Sequence, residues 1–144
     1  MIVVGVDGSE ASKETLLFAL EEARRRQTTM HVVHAFTEWE PIPGTNAIEL
    51  DRSPQEREAW LSALVRDVIG EVADVEIRES TVEDDPAPAL LAAARGAELL
   101  IVGSRGHGGF AGLLLGSVSQ QCAHHASCPI VIVRGSTAQL GTSP

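Results

Sequence analysis

The sequence predicts an α/β domain in three layers: a doubly wound, parallel, five-stranded sheet covered by helices on both faces. Three observations predict it. Five short apolar runs alternate with helical stretches along the 144 residues. Those runs are rich in Val, Ile and Leu, because aromatics make up only 3% of the chain and Tyr is absent. No internal repeat or linker divides the sequence, so residues 1–144 read as one domain, with a small, polar, frayed tail over 135–144.

Residues 2–7 read as a buried first strand, and residues 10–26 as a helix with Leu16, Leu20 and Ala23 on one face. Residues 30–36 form a second strand. A polar connection over 37–53 contains Pro41, Pro43 and Gly44. The next helix has a marked start, with Ser53 as N-cap, Pro54 at the first helical position and Glu56 completing a capping box. Leu61, Leu64, Val65 and Val68 make its apolar stripe, and Gly70 stops it. Residues 74–80 alternate polar and apolar, which predicts a half-exposed third strand at an edge. Asp85-Pro86 opens a third helix with Leu90, Leu91 and Ala94 inward and Gly96 near its end. Residues 98–102 form a fourth strand, residues 103–116 a glycine-rich loop, residues 117–126 a fourth helix and residues 130–134 a fifth strand. In such sheets ligands sit beyond the carboxyl ends of the strands, where the strand order reverses.

Composition narrows the function classes. The apolar runs are far shorter than the ~20 residues a membrane span needs. The N-terminus lacks a basic region and a cleavage site and reads as a strand, not a signal peptide. A formal charge of −9 argues against broad binding to nucleic acid or to an anionic membrane. Arg24-Arg25-Arg26 falls in the last turn of a helix, where cations suit the dipole. Two cysteines, Cys122 and Cys128, make no disulfide framework and fit a cytoplasmic chain with buried thiols.

The loop after the fourth strand carries the chemistry. Gly103-Ser104-Arg105-Gly106-His107-Gly108-Gly109 is followed by Gly116-Ser117 at a helix start. Glycines allow close backbone approach, and a helix N-terminus offers free N–H groups to an anion. Ser117 and Ser119 add hydroxyl donors, and Arg105 and His107 add positive charge. Taken alone, the segment fits a phosphate cradle or a set of turns, and Ser117 with Gln120 reads as a capping box. There is no Walker A lysine, and the dinucleotide fingerprint lacks its acidic residue. Gly5-Val6-Asp7-Gly8-Ser9 ends the first strand. If the first and fourth strands are neighbours, Asp7 shares a crevice with the loop. It then suits a ribose hydroxyl or the adenine amino group, or simply turns the chain into the first helix.

The pattern Gly103-x2-Gly106-x9-Gly116-Ser117 resembles the nucleotide-binding signature of the universal stress protein (UspA-like) family. The resemblance runs through the VGVDGS opening, the second strand with His34, the GSRGHGG loop, the LLLGSVS turn and the SCPIVIV final strand. It implies strand order 3-2-1-4-5 and an adenine nucleotide alpha hydrolase-like fold. It implies that Gly5, Val6 and Asp7 contact the nucleoside and that Ala35 lies beside adenine. Gly103, Arg105, Gly106, His107 and Gly109 would line the ribose and phosphates, and Gly116, Ser117, Val118 and Ser119 would hold the phosphates. The intact signature implies the ATP-binding branch, with ATP and Mg²⁺ as ligands. The resemblance also implies a homodimer through Ile130, Val131, Ile132 and Val133, which would cover an apolar sheet edge.

Other residues point to packing. His124, His125 and Cys122 lack metal-ligand spacing. His31 and His34, three apart on a strand, face opposite sides. Glu83, Asp84 and Asp85 read as a solvated loop and cap. With no obvious general base and no identifiable arginine finger, the resemblance implies a nucleotide-dependent stress-response binding protein with at most slow hydrolysis. The alternatives are a slow ATPase or adenylyl-transfer enzyme using the same crevice, and a nucleotide-independent interaction module.

Overall fold

The computed structural model describes residues 1–38, 40, 42–43, 53–105 and 115–135, and among these five strands alternate with four helices. They are β1 (Ile2–Gly5), α1 (Glu10–Arg26), β2 (Met30–Phe36), α2 (Pro54–Ile69), β3 (Ile77–Glu83), α3 (Pro86–Ala93), β4 (Leu99–Gly103), α4 (Ser117–His125) and β5 (Ile130–Val133). The sheet is parallel throughout, in the order β3-β2-β1-β4-β5.

β1 lies in the middle, with Ile2 opposite Met30 on one side and Leu99 on the other. Alternating side chains send Ile2 and Val4 to one face and Val3 to the other. All three are fully buried, as a central parallel strand requires. On the first face α1 and α2 cover the sheet with Leu16, Ala19, Leu20, Ala23, Leu61 and Val65. On the second, Ala87, Leu90 and Ala94 from α3 and its end, with Cys122 of α4, pack on Val3, Val33, Leu100 and Val102. Cys122 and Cys128 are free thiols, and burial pushes the Cys122 thiol up to about 11.

Local signals account for most boundaries. The Ser53 hydroxyl accepts the Glu56 N–H at 3.2 Å, Pro54 follows it, and Gly70 ends α2 at φ 69°. The three arginines closing α1 form ion pairs with Glu21, Glu22 and Asp74. Two strands differ from expectation by more than one residue at an end. β1 ends at Gly5, not at residue 7, although Val6 N–H still donates to the Val33 carbonyl at 3.0 Å. β3 runs from Ile77 to Glu83 instead of 74–80. Arg24 grips Asp74 at 2.7 Å, and Val75 turns into the core, so this stretch bends before pairing begins. The polar residues 79–83 then continue the ladder, since Phe36 lies opposite Glu83 at the sheet edge.

Beside the carboxyl end of β2, His34 is 3% exposed. Its Nδ1 lies 3.0 Å from the Val6 carbonyl, so Nδ1 carries the proton and Nε2 is a buried lone pair without a hydrogen-bond partner among the described residues. The ring packs on Trp60 and Phe36, with centroids 4.5 and 6.2 Å away. Arg57, equally buried, lays its guanidinium over Phe36 at 3.8 Å and donates to the Glu40 carbonyl. Burial holds the His34 imidazole below its ordinary value of 6.5. The Val6 bond and the charges of Asp7 and Glu40 oppose this, and Arg57 reinforces it.

A depressed histidine means that the unfolded chain takes up a proton the folded chain refuses. The stability contribution of His34 is therefore complete above about pH 6.5 and drains away as pH falls below it. Denaturant unfolding at pH 7.5 and pH 5.5 should show His34→Gln losing less stability on acidification than the parent. The slope removed should be at most about 1.4 kcal/mol per pH unit. Parallel pH profiles for the two proteins would refute the assignment.

Candidate functional site

The chain proceeds from β1 to β2 to β3 in one direction and from β1 to β4 to β5 in the other. The crevice between the carboxyl ends of β1 and β4 is thus the topological switch point. One wall comes from the β1–α1 turn. Gly8 sits at φ 84°, in the left-handed region, and a Cβ there would lie 2.8 Å from Trp60 Cζ2 and 2.9 Å from Pro43 Cβ. The tight turn swings Asp7 back over the start of α1. Asp7 Oδ1 accepts the Ser9 N–H at 2.9 Å and the Ser12 hydroxyl at 2.8 Å, while Asp7 N–H donates to Ser12 Oγ at 3.0 Å. The N-cap of α1 is Ser9, whose side chain makes no capping bond, so the expected turn role of Asp7 is present and is shared with Ser12.

The other wall follows β4. At Gly103 a Cβ would lie 3.3 Å from the Arg105 carbonyl and 3.4 Å from Thr15 Oγ1, so the chain doubles back closely over α1. Ser104 N–H donates to the Val133 carbonyl at 2.8 Å. Its own carbonyl accepts Gly116 N–H at 2.6 Å and the Ser119 hydroxyl at 3.1 Å. These bonds close the intervening loop at its base. Arg105 is exposed at the start of that loop. Gly106, His107 and Gly109 lie outside the described residues.

α4 begins with Gly116 as N-cap, at φ −73° and ψ 168°, and its first helical bond is Gln120 N–H to the Gly116 carbonyl at 3.0 Å. The expected capping box with Ser117 as cap is therefore displaced. Ser117 is already the first helical residue, because the Gly116 carbonyl is held in line by the Ser119 hydroxyl at 3.0 Å. The backbone N–H groups of Ser117, Val118 and Ser119 precede that first bond and have no acceptor within the helix. Ser117 is exposed, whereas Ser119 is buried. The Ser119 hydroxyl, expected to face a ligand, instead closes the loop.

Of the remaining predicted residues, Gly5 lies under α3, where a Cβ would meet Leu90 Cδ1 at 2.7 Å. Val6 and Ala35 are buried at the carboxyl ends of their strands. Ile130, Val131, Ile132 and Val133 form the edge strand β5 and are all partly exposed. His31 is bonded to Ser80 at 2.8 Å, across β2 and β3. No group of three or more His, Cys, Asp or Glu side chains comes together among the described residues. None of the described helices is long and apolar enough to cross a membrane. Ser12, Thr15 and Ser104 were not predicted as parts of the site. A hydroxyl on the third helical residue after the Asp7 turn was the one available signal.

The profile of the Universal stress protein family matches residues 1–134. A universal stress protein of Mycobacterium tuberculosis is 38% identical over 140 residues, covering 94% of this chain and 45% of the relative. Another from the same organism is 36% identical over 137 residues, covering 92% of this chain and 43% of the relative. The chain thus spans less than half the length of these relatives. A crystal structure of a universal stress protein in complex with cAMP is 26% identical, with TM-score 0.66, covering 94% of this chain and 96% of the other. The Archaeoglobus fulgidus protein in complex with dAMP is 25% identical, with TM-score 0.61, covering 91% and 94%. The shared architecture is the adenine nucleotide alpha hydrolase-like fold. With a profile spanning residues 1–134 and these relatives at 36% and 38% identity, the chain belongs to the universal stress protein family.

Proposed function

We propose that this chain binds an adenine nucleotide, ATP with Mg²⁺, in the crevice between β1 and β4, and that its output is the bound state with at most slow hydrolysis. The observation that carries the reading is the start of α4. Three amides with no helical acceptor follow a loop closed at its base on Ser104, just past the end of β4, and β4 pairs with β1, the strand that leads into the Asp7 turn. Asp7 receives a ribose hydroxyl or the adenine amino group, and Val6 and Ala35 flank the base. Gly5, Gly103, Gly106 and Gly109 permit close backbone approach, and Arg105 and His107 supply positive charge. Gly116, Ser117, Val118 and Ser119 hold the phosphates through the helix N-terminus, the dipole favouring the anion. Ser119 enters through its N–H, since its hydroxyl is engaged. The cAMP and dAMP complexes of relatives support an adenine nucleotide.

Calorimetry with ATP and Mg²⁺, and with AMP, tests this directly. Gly116→Asp is the informative variant. Aspartate is a better N-cap than glycine by a few tenths of a kcal/mol, and Gly116 has a backbone any residue adopts. The same carboxylate repels a phosphate. The variant should keep or raise its melting temperature while losing at least about tenfold in nucleotide affinity, roughly 1.4 kcal/mol. No heat with the parent protein at millimolar nucleotide would sink the proposal.

β5 is an edge of four partly exposed apolar residues, and we propose that a second copy of the chain covers it. Leu100 N–H donates to the Pro129 carbonyl and Ser104 N–H to the Val133 carbonyl. Odd-numbered residues of β5 therefore turn their backbone groups to β4, and Ile130 and Ile132 turn theirs outward. Sedimentation should show a dimer at micromolar concentration, and Ile132→Pro, which removes an outward donor, should yield a folded monomer. A monomeric parent would refute this.

A further inference from the structure

We propose that Ser12 is the positioning residue of the nucleotide site, holding the Asp7 carboxylate in the orientation that receives the nucleoside. This rests on the reading of Asp7 as the nucleoside acceptor. The Ser12 hydroxyl does two things at once: it accepts Asp7 N–H at 3.0 Å and donates to Asp7 Oδ1 at 2.8 Å. Only a hydroxyl offers a donor and an acceptor on one atom at this length. Backbone and carboxylate of Asp7 are thereby closed into one ring through Ser12 Oγ, and Ser9 N–H adds a second bond to Asp7 Oδ1 at 2.9 Å. The Asp7 side chain is left little freedom about its own bonds.

The hydroxyl is not serving its helix. Ser12 is the third residue of α1, and a capping role would turn it toward Ser9, the N-cap. Its oxygen is 3.5 Å from Ser9 Oγ but 2.8 and 3.0 Å from the two Asp7 atoms. Ser12 is 4% exposed, so water competes poorly for a bond to a carboxylate that is already charge-assisted. The turn is also pressed from outside by Trp60 and Pro43 at Gly8 and tied through Val6 to His34. With the backbone on either side held, the Ser12 bonds act on the orientation of the Asp7 carboxylate together with the Ser9 N–H.

The test is a double-variant cycle read by calorimetry with AMP, dAMP and inosine monophosphate, which lack neither group, the 2′-hydroxyl and the adenine amino group respectively. Ser12→Ala should weaken AMP binding about tenfold. It should also erase whichever discrimination, against dAMP or inosine monophosphate, Asp7→Asn erases. Ser12→Thr, which keeps the hydroxyl, should restore both. Added to Asp7→Asn, Ser12→Ala should cost nothing further. A merely structural role would lower affinity for all three ligands alike and would persist in the Asp7→Asn background, and that result overturns the proposal. Unchanged AMP affinity and discrimination in Ser12→Ala also overturns it while leaving the nucleotide site standing. If Asp7→Asn binds all three ligands as the parent does, the reading of Asp7 falls and the role of Ser12 falls with it.

Discussion

The pairing of β1 with β4 is the constraint on which the rest of the molecule depends. β1 is hydrogen-bonded on both sides and buried on both faces, so it cannot shift without uncovering two cores at once. The next strand, β2, lies on one side of β1 and β4 on the other, and the connections leave the sheet in opposite directions. A gap between them at the carboxyl end is unavoidable. The Asp7 turn and the residues that follow β4, Ser104 and Arg105, leave neighbouring strand ends because the core holds those strands side by side.

That constraint explains which parts of the fold could be read from residues. Runs such as residues 2–4 and 99–102 are apolar without alternation, which is what burial on both faces demands. Helix α2 was legible at both ends, since Ser53-Pro54 and Gly70 act within one turn of the residues that identify them. β3 was not, because its start is set by a distant ion pair. Arg24 belongs to another element and lies 50 residues from Asp74, and no local pattern announces that Asp74 will be gripped. Polar residues at the end of β3 pair because an edge strand needs only backbone partners on one side.

The site divides in the same way. The tight turn at Gly8 and the close approach at Gly103 were legible as glycine positions, since a Cβ at either would crowd its neighbours. The order of bonds around them was not. Serine is ambiguous in sequence, serving as a cap, a ligand donor or an internal tie, and the choice depends on which oxygen or N–H comes within reach after folding. Ser119 looked like a ligand donor and became a tie, buried against Ser104 and Gly116. Ser12 carried no functional reading and sits against Asp7. Arg57 and His34 are further cases. Each is an ordinary polar residue in sequence and nearly buried in the fold, stacked around Phe36 under the segment that follows β2.

Both walls of the crevice follow one economy. In each, a serine hydroxyl bridges two groups inside the wall: Ser12 accepts from the backbone and donates to the side chain of Asp7, and Ser119 shares its one proton between the carbonyls of Ser104 and Gly116. Each hydroxyl is buried, so its bonds are little contested by water. On the proposed reading, the groups that meet a ligand are backbone amides at the start of α4 and the oriented carboxylate of Asp7. Neither must be ordered when a ligand arrives, since folding has already met that cost, and ordering costs subtract directly from affinity. On the proposed reading, the crevice then needs few direct contacts to hold a nucleotide. The same rigidity bears on chemistry. Walls locked by their own hydrogen bonds favour one bound geometry, which suits a protein that reports occupancy and works against one that must follow a phosphoryl group through its transfer.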